Sequence, residues 1–115
     1  MTKAMDNTIT FDDFQKVDLR VGTILEAREF DKARVPAYQL KIDFGELGTK
    51  NSSAQITTLY STQELVGKQI IAVVNFKPKQ IANFISECLV LGIQNGKDVV
   101  LLRPGREVRN GIQAL

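Results

Sequence analysis

Residues 69–93 read QIIAVVNFKPKQIANFISECLVLGI, and this stretch predicts the centre of the fold. Two apolar runs, at 70–74 and 88–91, lie on either side of a polar, basic connection. Short β-branched runs bounded by Pro, Asn and Gly are typical of buried strands. The stretch therefore predicts two core strands and, between them, a segment exposed to solvent.

The connection between these runs combines positive charge with aromatic side chains. It carries Lys77 and Lys79 together with two aromatic residues, Phe76 and Phe84, that we expect to be exposed. Such a surface suits a charged partner with flat or apolar parts, as a single-stranded nucleic acid or an unfolded polypeptide has. A third interpretation stays open, in which the aromatic residues and Ile81 only cap the end of a small barrel.

Length and composition place the chain among small, cored domains. At 115 residues with 43% hydrophobic residues, we expect one domain over residues 1–115. The only cysteine, Cys88, falls in a strand-like run, so we expect a buried, unreactive thiol. No apolar stretch approaches the roughly 18 residues of a membrane span, and the start lacks the pattern of a signal peptide. We therefore expect a soluble, cytoplasmic protein without stable membrane insertion.

The charge is distributed unevenly along the chain. Residues 1–67 hold eight Lys/Arg and ten Asp/Glu, a net charge of −2, whereas residues 68–115 hold seven and three, a net charge of +4. The basic surplus lies in the half that contains the exposed connection. This asymmetry indicates an anionic partner, although a solvated surface with a few unpaired lysines explains it as well.

The residue types argue against an enzyme. The chain has no histidine, which removes the commonest general base and metal ligand, and one cysteine cannot form a thiolate zinc site. No phosphate-binding loop, dinucleotide fingerprint or nucleophile elbow is present. The adjacent acids Asp12 and Asp13 stand at the start of a predicted helix, where the helix dipole explains them. We expect no catalytic residue, no metal and no cofactor.

Local patterns predict mostly strands with two short helices. Thr10 and Asp13 resemble a helix cap before a stripe of Phe11, Phe14 and Val17, which is typical of a core plug or a subunit contact. A second short helix is predicted over 58–66, with Ser61 as its cap. Residues 1–9 are predicted to form a flexible tail.

The remaining patterns predict strands and their turns. Strict alternation over 38–44 predicts a half-buried strand, and Asn95-Gly96 predicts a hairpin. A shift of the apolar phase after Gly22 predicts a bulge or a sharp coil that bends the first strand. Together these features predict an all-β protein, a five-stranded OB-fold β-barrel with short helices and terminal extensions.

Two segments carry a resemblance to a known family. Over residues 11–115 the chain resembles the tRNA-binding-domain family, whose members are OB-folds found alone or joined to some aminoacyl-tRNA synthetases. The most specific segments are Phe14-x-x-Val17-Asp18-Leu19-Arg20-Val21-Gly22 and Asn75-Phe76-Lys77-Pro78-Lys79 with Ser86-Glu87-Cys88. Other passages, such as 36–38, 42–48 and 52–57, are most similar to the family's bacterial chaperones of protein secretion.

The resemblance implies a homodimeric, non-enzymatic binding protein. The secretion chaperones of the family are described as binding unfolded, export-bound polypeptides and the SecA translocation motor, whereas other members bind tRNA by its shape. The family has Gly-Met where Cys88-Leu89 stand, and this departure favours the peptide ligand over tRNA. Either ligand is expected on one set of residues: Arg34, Asn75, Phe76, Lys77, Lys79, Ile81, Phe84 and Ser86.

Overall fold

An 11-residue strand, β1, connects the two halves of the sheet. The computed structural model describes residues 7–115, so most of the predicted flexible tail lies outside the described residues. The helices are α1 (Phe11–Gln15) and α2 (Thr62–Leu65). The strands are β1 (Leu19–Glu29), β2 (Tyr38–Asp43), β3 (Thr49–Ala54), β4 (Gln69–Val73), β5 (Lys79–Ile81), β6 (Phe84–Ser86), β7 (Leu89–Val90), β8 (Gly92–Asn95) and β9 (Asp98–Leu101).

The main sheet has five strands in the order β3-β2-β1-β4-β7, and every pair of neighbours is antiparallel. Residues 19–23 of β1 pair with β4, and residues 23–29 pair with β2. This change of partner coils the sheet into a nearly closed barrel. The predicted all-β OB-fold barrel is confirmed. The hairpins β5–β6 and β8–β9 form two further sheets of two strands each.

The predicted bulge in β1 is present, but not at the glycine. The register of β1 against β2 shifts between Ile24 and Glu26, which places the bulge at Leu25. Gly22 has a different role, because a Cβ there would lie 2.6 Å from the side chain of Ile42 and 2.7 Å from that of Phe44. The glycine therefore permits close packing, and the bend follows three residues later.

The core is filled from the faces of the central strands that point inward. The alternation predicted over 38–44 is confirmed, since Leu40, Ile42 and Phe44 are almost fully buried while Lys41 is exposed. Ile24, Leu65 and Ile70 complete the layer from β1, α2 and β4. The core therefore lies directly under the strands whose patterns predicted burial.

Both predicted helix caps are confirmed, but the first helix is not a core plug. Thr10 and Asp13 form a reciprocal capping box at α1, and Ser61 and Glu64 form one at α2. Along the predicted stripe, Phe11 and Val17 are exposed and Phe14 is half-buried. The apolar stripe is therefore mostly exposed to solvent.

A segment near the C-terminus covers the edge of β1 that β2 leaves free. This C-terminal strap, residues 108–114, accepts and donates backbone hydrogen bonds along the strand. Gly111 donates to the carbonyl of Val21 over 2.7 Å, and Ala114 donates to that of Leu19 over 2.8 Å. An unpaired strand edge is a template for unwanted pairing, and the strap removes it here.

The long stretch at 69–93 contains more structure than its sequence predicts. The first run forms β4 as predicted, but the connection folds back as the β5–β6 hairpin. The second predicted strand, 88–91, has only the two residues of β7 in the ladder. The hairpin at Asn95-Gly96 is confirmed, with Gly96 at a φ of 65°.

Candidate binding groove and the family of the chain

A groove of about 850 Å³ opens between the end of β3, the β5–β6 hairpin and the β7–β8 region. Its floor is apolar, and it is formed by Ala54, Ile56, Cys88, Val90 and Val99. All five floor residues belong to the core cluster or pack against it. The floor of the groove is therefore continuous with the core of the barrel. Its size falls in the range of roughly 300–1,000 Å³ that is usual for ligand sites.

The rim of the groove combines an exposed aromatic ring with two cations. Phe76 is 57% exposed, and Lys77 and Lys79 are exposed beside it. Among residues 7–115, neither lysine has a carboxylate within ion-pair distance. The nearby acid Glu87 is engaged by the backbone N–H of Asn51, which donates to its Oε1 over 2.9 Å. The rim is consequently positive and apolar at once.

Next to the groove, the barrel is closed mainly by side-chain hydrogen bonds, with one backbone bond and no regular ladder of strands. The Ser52 hydroxyl donates to the carbonyl of Cys88 over 2.8 Å, and the Ser86 hydroxyl accepts from the N–H of Ser53. The N–H of Glu87 donates to the carbonyl of Asn51. We call this contact between β3 and residues 86–88 the seam. It ends at Ser53, and the groove begins there.

Cys88 lies in the groove floor as a neutral thiol. The residue is 6% exposed, and burial raises the pKa of its thiol to about 11, above its ordinary value. The Ser52 hydrogen bond and the charge of Lys50 oppose that rise less strongly. A buried, protonated thiol is a weak nucleophile, so the prediction of a buried, unreactive cysteine agrees with the structure.

The structure brings five of the eight predicted site residues to the groove: Phe76, Lys77, Lys79, Ile81 and Ser86. Phe84 lies elsewhere, and the prediction that it is exposed is wrong. Its ring is half-buried and packs edge-on against Phe30, with 5.4 Å between the ring centroids. It lines a separate cavity of about 250 Å³ with residues of β1, β2 and β3. The contact with Phe30 thus places the ring outside the groove lining.

The other two predicted residues, Asn75 and Arg34, lie outside the groove lining. The side chain of Asn75 holds the segment between α1 and β1, because it accepts from the N–H of Asp18 over 3.0 Å and donates to the carbonyl of Lys16 over 2.7 Å. Arg34 is exposed in the loop between β1 and β2. Asn75 is therefore occupied with a structural contact, whereas Arg34 has no ion-pair partner within residues 7–115.

Several groove residues were not predicted from the sequence, among them Gln55, Leu89, Gln94 and Val99. Leu89 is 46% exposed beside the buried Cys88. A buried residue followed by an exposed one is typical of a strand with one face in water. The unbroken apolar run at 88–91 instead predicts a strand that is buried on both faces. The polar residues Gln55, directly after β3, and Gln94, within β8, give no comparable signal.

The described residues contain neither a metal-binding cluster nor a membrane-spanning helix. Within residues 7–115 no group of His, Cys, Asp and Glu is arranged to hold a metal ion. Across the same part of the chain, no helix is long and apolar enough to cross a membrane. The arrangement offers apolar contact, positive charge and hydrogen-bonding backbone. These are means of binding.

Comparisons with known proteins agree with this picture. The chain is 55% identical to the CsaA chaperone of Bacillus anthracis, whose crystal structure superposes with a TM-score of 0.88 over 94% of this chain and 99% of that one. The CsaA chaperone of Picrophilus torridus gives 55% identity and a TM-score of 0.89, with 94% of this chain and 100% of that one covered.

Curated relatives include much longer proteins. The methionine–tRNA ligase of Bacteroides fragilis is 39% identical over 110 residues, which are 95% of this chain but 16% of the ligase. The family model described as a putative tRNA binding domain matches residues 19–113. The chain thus belongs to the tRNA-binding-domain family, with the CsaA chaperones among its relatives of nearly equal length.

Proposed function

We propose that this protein is a CsaA-like chaperone that holds unfolded, export-bound polypeptides in the groove. The observation that carries the proposal is the apolar floor with the exposed Phe76 at its rim. Each Å² of apolar surface removed from water contributes about 25 cal/mol, so such a groove binds apolar segments without reading a sequence. The 55% identity to two proteins named as CsaA chaperones, over nearly their whole length, supports this assignment.

The proposal extends to the partners and the setting of a secretion chaperone. We infer that residues 1–115 act as one cytoplasmic domain without enzymatic activity, and that SecA receives the bound preprotein. This inference rests on the resemblance to the secretion chaperones. It is tested by passing cytosolic extract over the immobilised protein, with and without nuclease. Preproteins and SecA should stay bound after nuclease treatment, and their absence would remove the secretion role.

A second candidate function, tRNA binding, is favoured by the family model and by the charge of the rim. Lys77 and Lys79 would neutralise phosphates, and Phe76 would offer a face on which a base stacks. Base–aromatic stacking contributes about 1–3 kcal/mol per base. Arg34, exposed on the loop between β1 and β2, would add a third phosphate contact.

The two functions order the same variants differently. For an unfolded preprotein, Phe76→Ala should weaken binding more than Lys77→Ala with Lys79→Ala, because apolar burial supplies most of the affinity. For tRNA, the double lysine variant should be the weaker binder. Labelled preprotein and labelled tRNA are titrated against both variants, with Lys97→Ala, on an exposed turn outside the groove lining, as the control. Small, equal effects on both ligands would reduce the groove to a plain barrel surface.

We also propose a two-fold dimer that uses both terminal segments. Exposed apolar side chains collect there: Phe11, Val17, Val108, Ile112 and Leu115. Leftover apolar groups at chain ends commonly pack against a symmetry mate. Sedimentation at micromolar concentration should give the mass of a dimer, and Phe11→Ser with Ile112→Ser should give a monomer that keeps its fold. A monomeric wild-type protein would refute this assembly.

A further inference from the structure

Beyond the seam, two strand edges face each other across the groove, and neither has a partner strand there among residues 7–115. In an antiparallel ladder the N–H and C=O of one residue point to the same side, and successive residues alternate. The N–H of Ser53 points to the seam, where it reaches Ser86. The carbonyl of Ser53 therefore lies on this outer edge of β3, and Gln55, which follows it, lines the groove.

The opposite wall of the groove presents β7 in the same way. The N–H of Leu91 donates to the carbonyl of Ile71 over 2.9 Å, so residues 89 and 91 face β4. The N–H and C=O of Val90 consequently point away from β4, as the carbonyl of Cys88 does when it accepts from Ser52. Within residues 7–115, no hydrogen bond engages the backbone of Val90 or Gln55 or the carbonyl of Ser53.

The direction of the two edges favours one kind of occupant. Every neighbouring pair in the order β3-β2-β1-β4-β7 is antiparallel, so β3 and β7 run the same way. A strand laid between them can therefore be antiparallel to both. A strand that pairs with both β3 and β7 would keep all neighbouring strands around the barrel antiparallel. Main-chain pairing of this type binds extended peptides with little regard for their sequence.

We propose that an extended polypeptide segment binds by adding as an antiparallel strand between β3 and β7. This proposal rests on the proposed chaperone function and gives its mode of binding. One face of the segment, every second side chain, lies on the apolar floor, and the other faces solvent. An acidic residue next to the apolar segment is held by Lys77 and Lys79, which have no ion-pair partner among the described residues.

The alternative occupant, a single RNA strand, fits these edges less well. The two walls present unpaired peptide N–H and C=O groups. A ligand that pairs with them needs donors and acceptors that repeat along a strand at about 3.3 Å per residue. An extended polypeptide supplies that repeat at every residue, whereas a nucleotide chain has no regular N–H donor in its backbone. The two lysines are common to both ligands, and the backbone edges distinguish them.

The test uses a fluorescent peptide of alternating Val and Ser that ends in Asp, bound to the full chain. N-methylation of single inner residues removes one donor each and should weaken binding by about tenfold. N-methylation next to the label, outside the groove, is the control. Replacing the Asp by Asn should weaken the wild-type complex and leave the Lys77→Ala with Lys79→Ala complex unchanged. Amide exchange at Gln55 and Val90 should slow on binding, with Lys97 unaffected.

Each contrary outcome has a separate meaning. Peptide binding that tolerates inner N-methylation within about twofold overturns strand addition and leaves the chaperone function standing. An unfolded preprotein that binds while the probe peptide does not has the same effect. If neither the preprotein nor the probe peptide binds, both the proposed chaperone function and strand addition are refuted. A single-stranded RNA that displaces the peptide and protects the same amides more strongly overturns strand addition in favour of RNA.

Discussion

Gly22 shows how one missing side chain fixes the packing between β1 and β2. An added Cβ would lie 2.6–2.8 Å from atoms of Ile42 and Phe44, and both of these are fully buried. Atoms this close must move, and a filled core resists the movement. The contact therefore sets how closely the first strand can approach the inner layer.

Gly22→Ala should accordingly destabilise the protein by about 1–3 kcal/mol, as overpacking of a filled core does. Gly105→Ala is the matched control, because a Cβ there meets nothing within 4 Å and the residue has no positive φ. Urea unfolding of both variants measures the difference. An unchanged midpoint for Gly22→Ala would show that Phe44 can move aside.

At the residue scale, sequence patterns predicted burial better than they predicted roles. Cys88 was placed correctly, since a thiol inside an apolar run is usually buried. Gly22 was recognised as unusual, but a bulge and a close approach leave the same mark in a sequence. Phe84 was misplaced because its partner, Phe30, lies far away in the chain. A ring contact across such a separation has no local signal.

At the scale of elements, the short helix α1 is held to the barrel mainly by its linker. Asn75 bonds both to the N–H of Asp18 and to the carbonyl of Lys16, and the N–H of Val74 donates to the carbonyl of Asp18. Because no residue of α1 is buried, these bonds do more than packing to place the helix. Asn75, which the sequence predicts as a binding residue, thus also has a structural role.

Asn75→Ala should loosen α1 and cost about 1–2 kcal/mol, as the loss of two hydrogen bonds at an exposed site does. Amide exchange at Val17 and Asp18 should quicken, while exchange in β2 stays slow. Asn83→Ala, at the tip of the β5–β6 hairpin, removes an exposed amide without a hydrogen bond to the described residues and serves as the control. Equal exchange in the two variants would assign the docking of α1 to other contacts.

The β5–β6 hairpin is the element that the sequence concealed. Each of its strands has three residues, too few for a period of two to stand out. Its turn places Ala82 at a φ of 53°, where glycine or asparagine would have been the usual signal. The β8–β9 hairpin was found because Asn95-Gly96 supplies that signal. Turn chemistry, more than strand propensity, decided which hairpin could be predicted.

For the whole molecule, the barrel was predictable and its closure was not. Alternation over 38–44 and the apolar runs at 70–74 and 88–91 point to strands around one core. The seam depends on Ser52, Ser53 and Ser86, whose hydrogen bonds join residues more than thirty positions apart. A serine in a strand gives no indication of its partner. The groove begins where the seam ends. The sequence therefore predicts residues of its rim but does not predict its floor.

The charge of the whole molecule makes one more ligand-dependent prediction. If tRNA binds at the rim, Lys77→Ala with Lys79→Ala should make the plot of log K against log salt shallower, by about 0.7 per lost contact for single strands. Each neutralised phosphate releases bound counterions, and the variant releases fewer. The basic surplus of residues 68–115 outside the groove should keep part of the slope. An unfolded peptide with one acidic residue makes a single charge contact there, so its slope should be much shallower than that of tRNA in wild type and near zero in the variant. Titrations at two or more salt concentrations separate the cases, and a steep tRNA slope that survives both substitutions would place the RNA on another face.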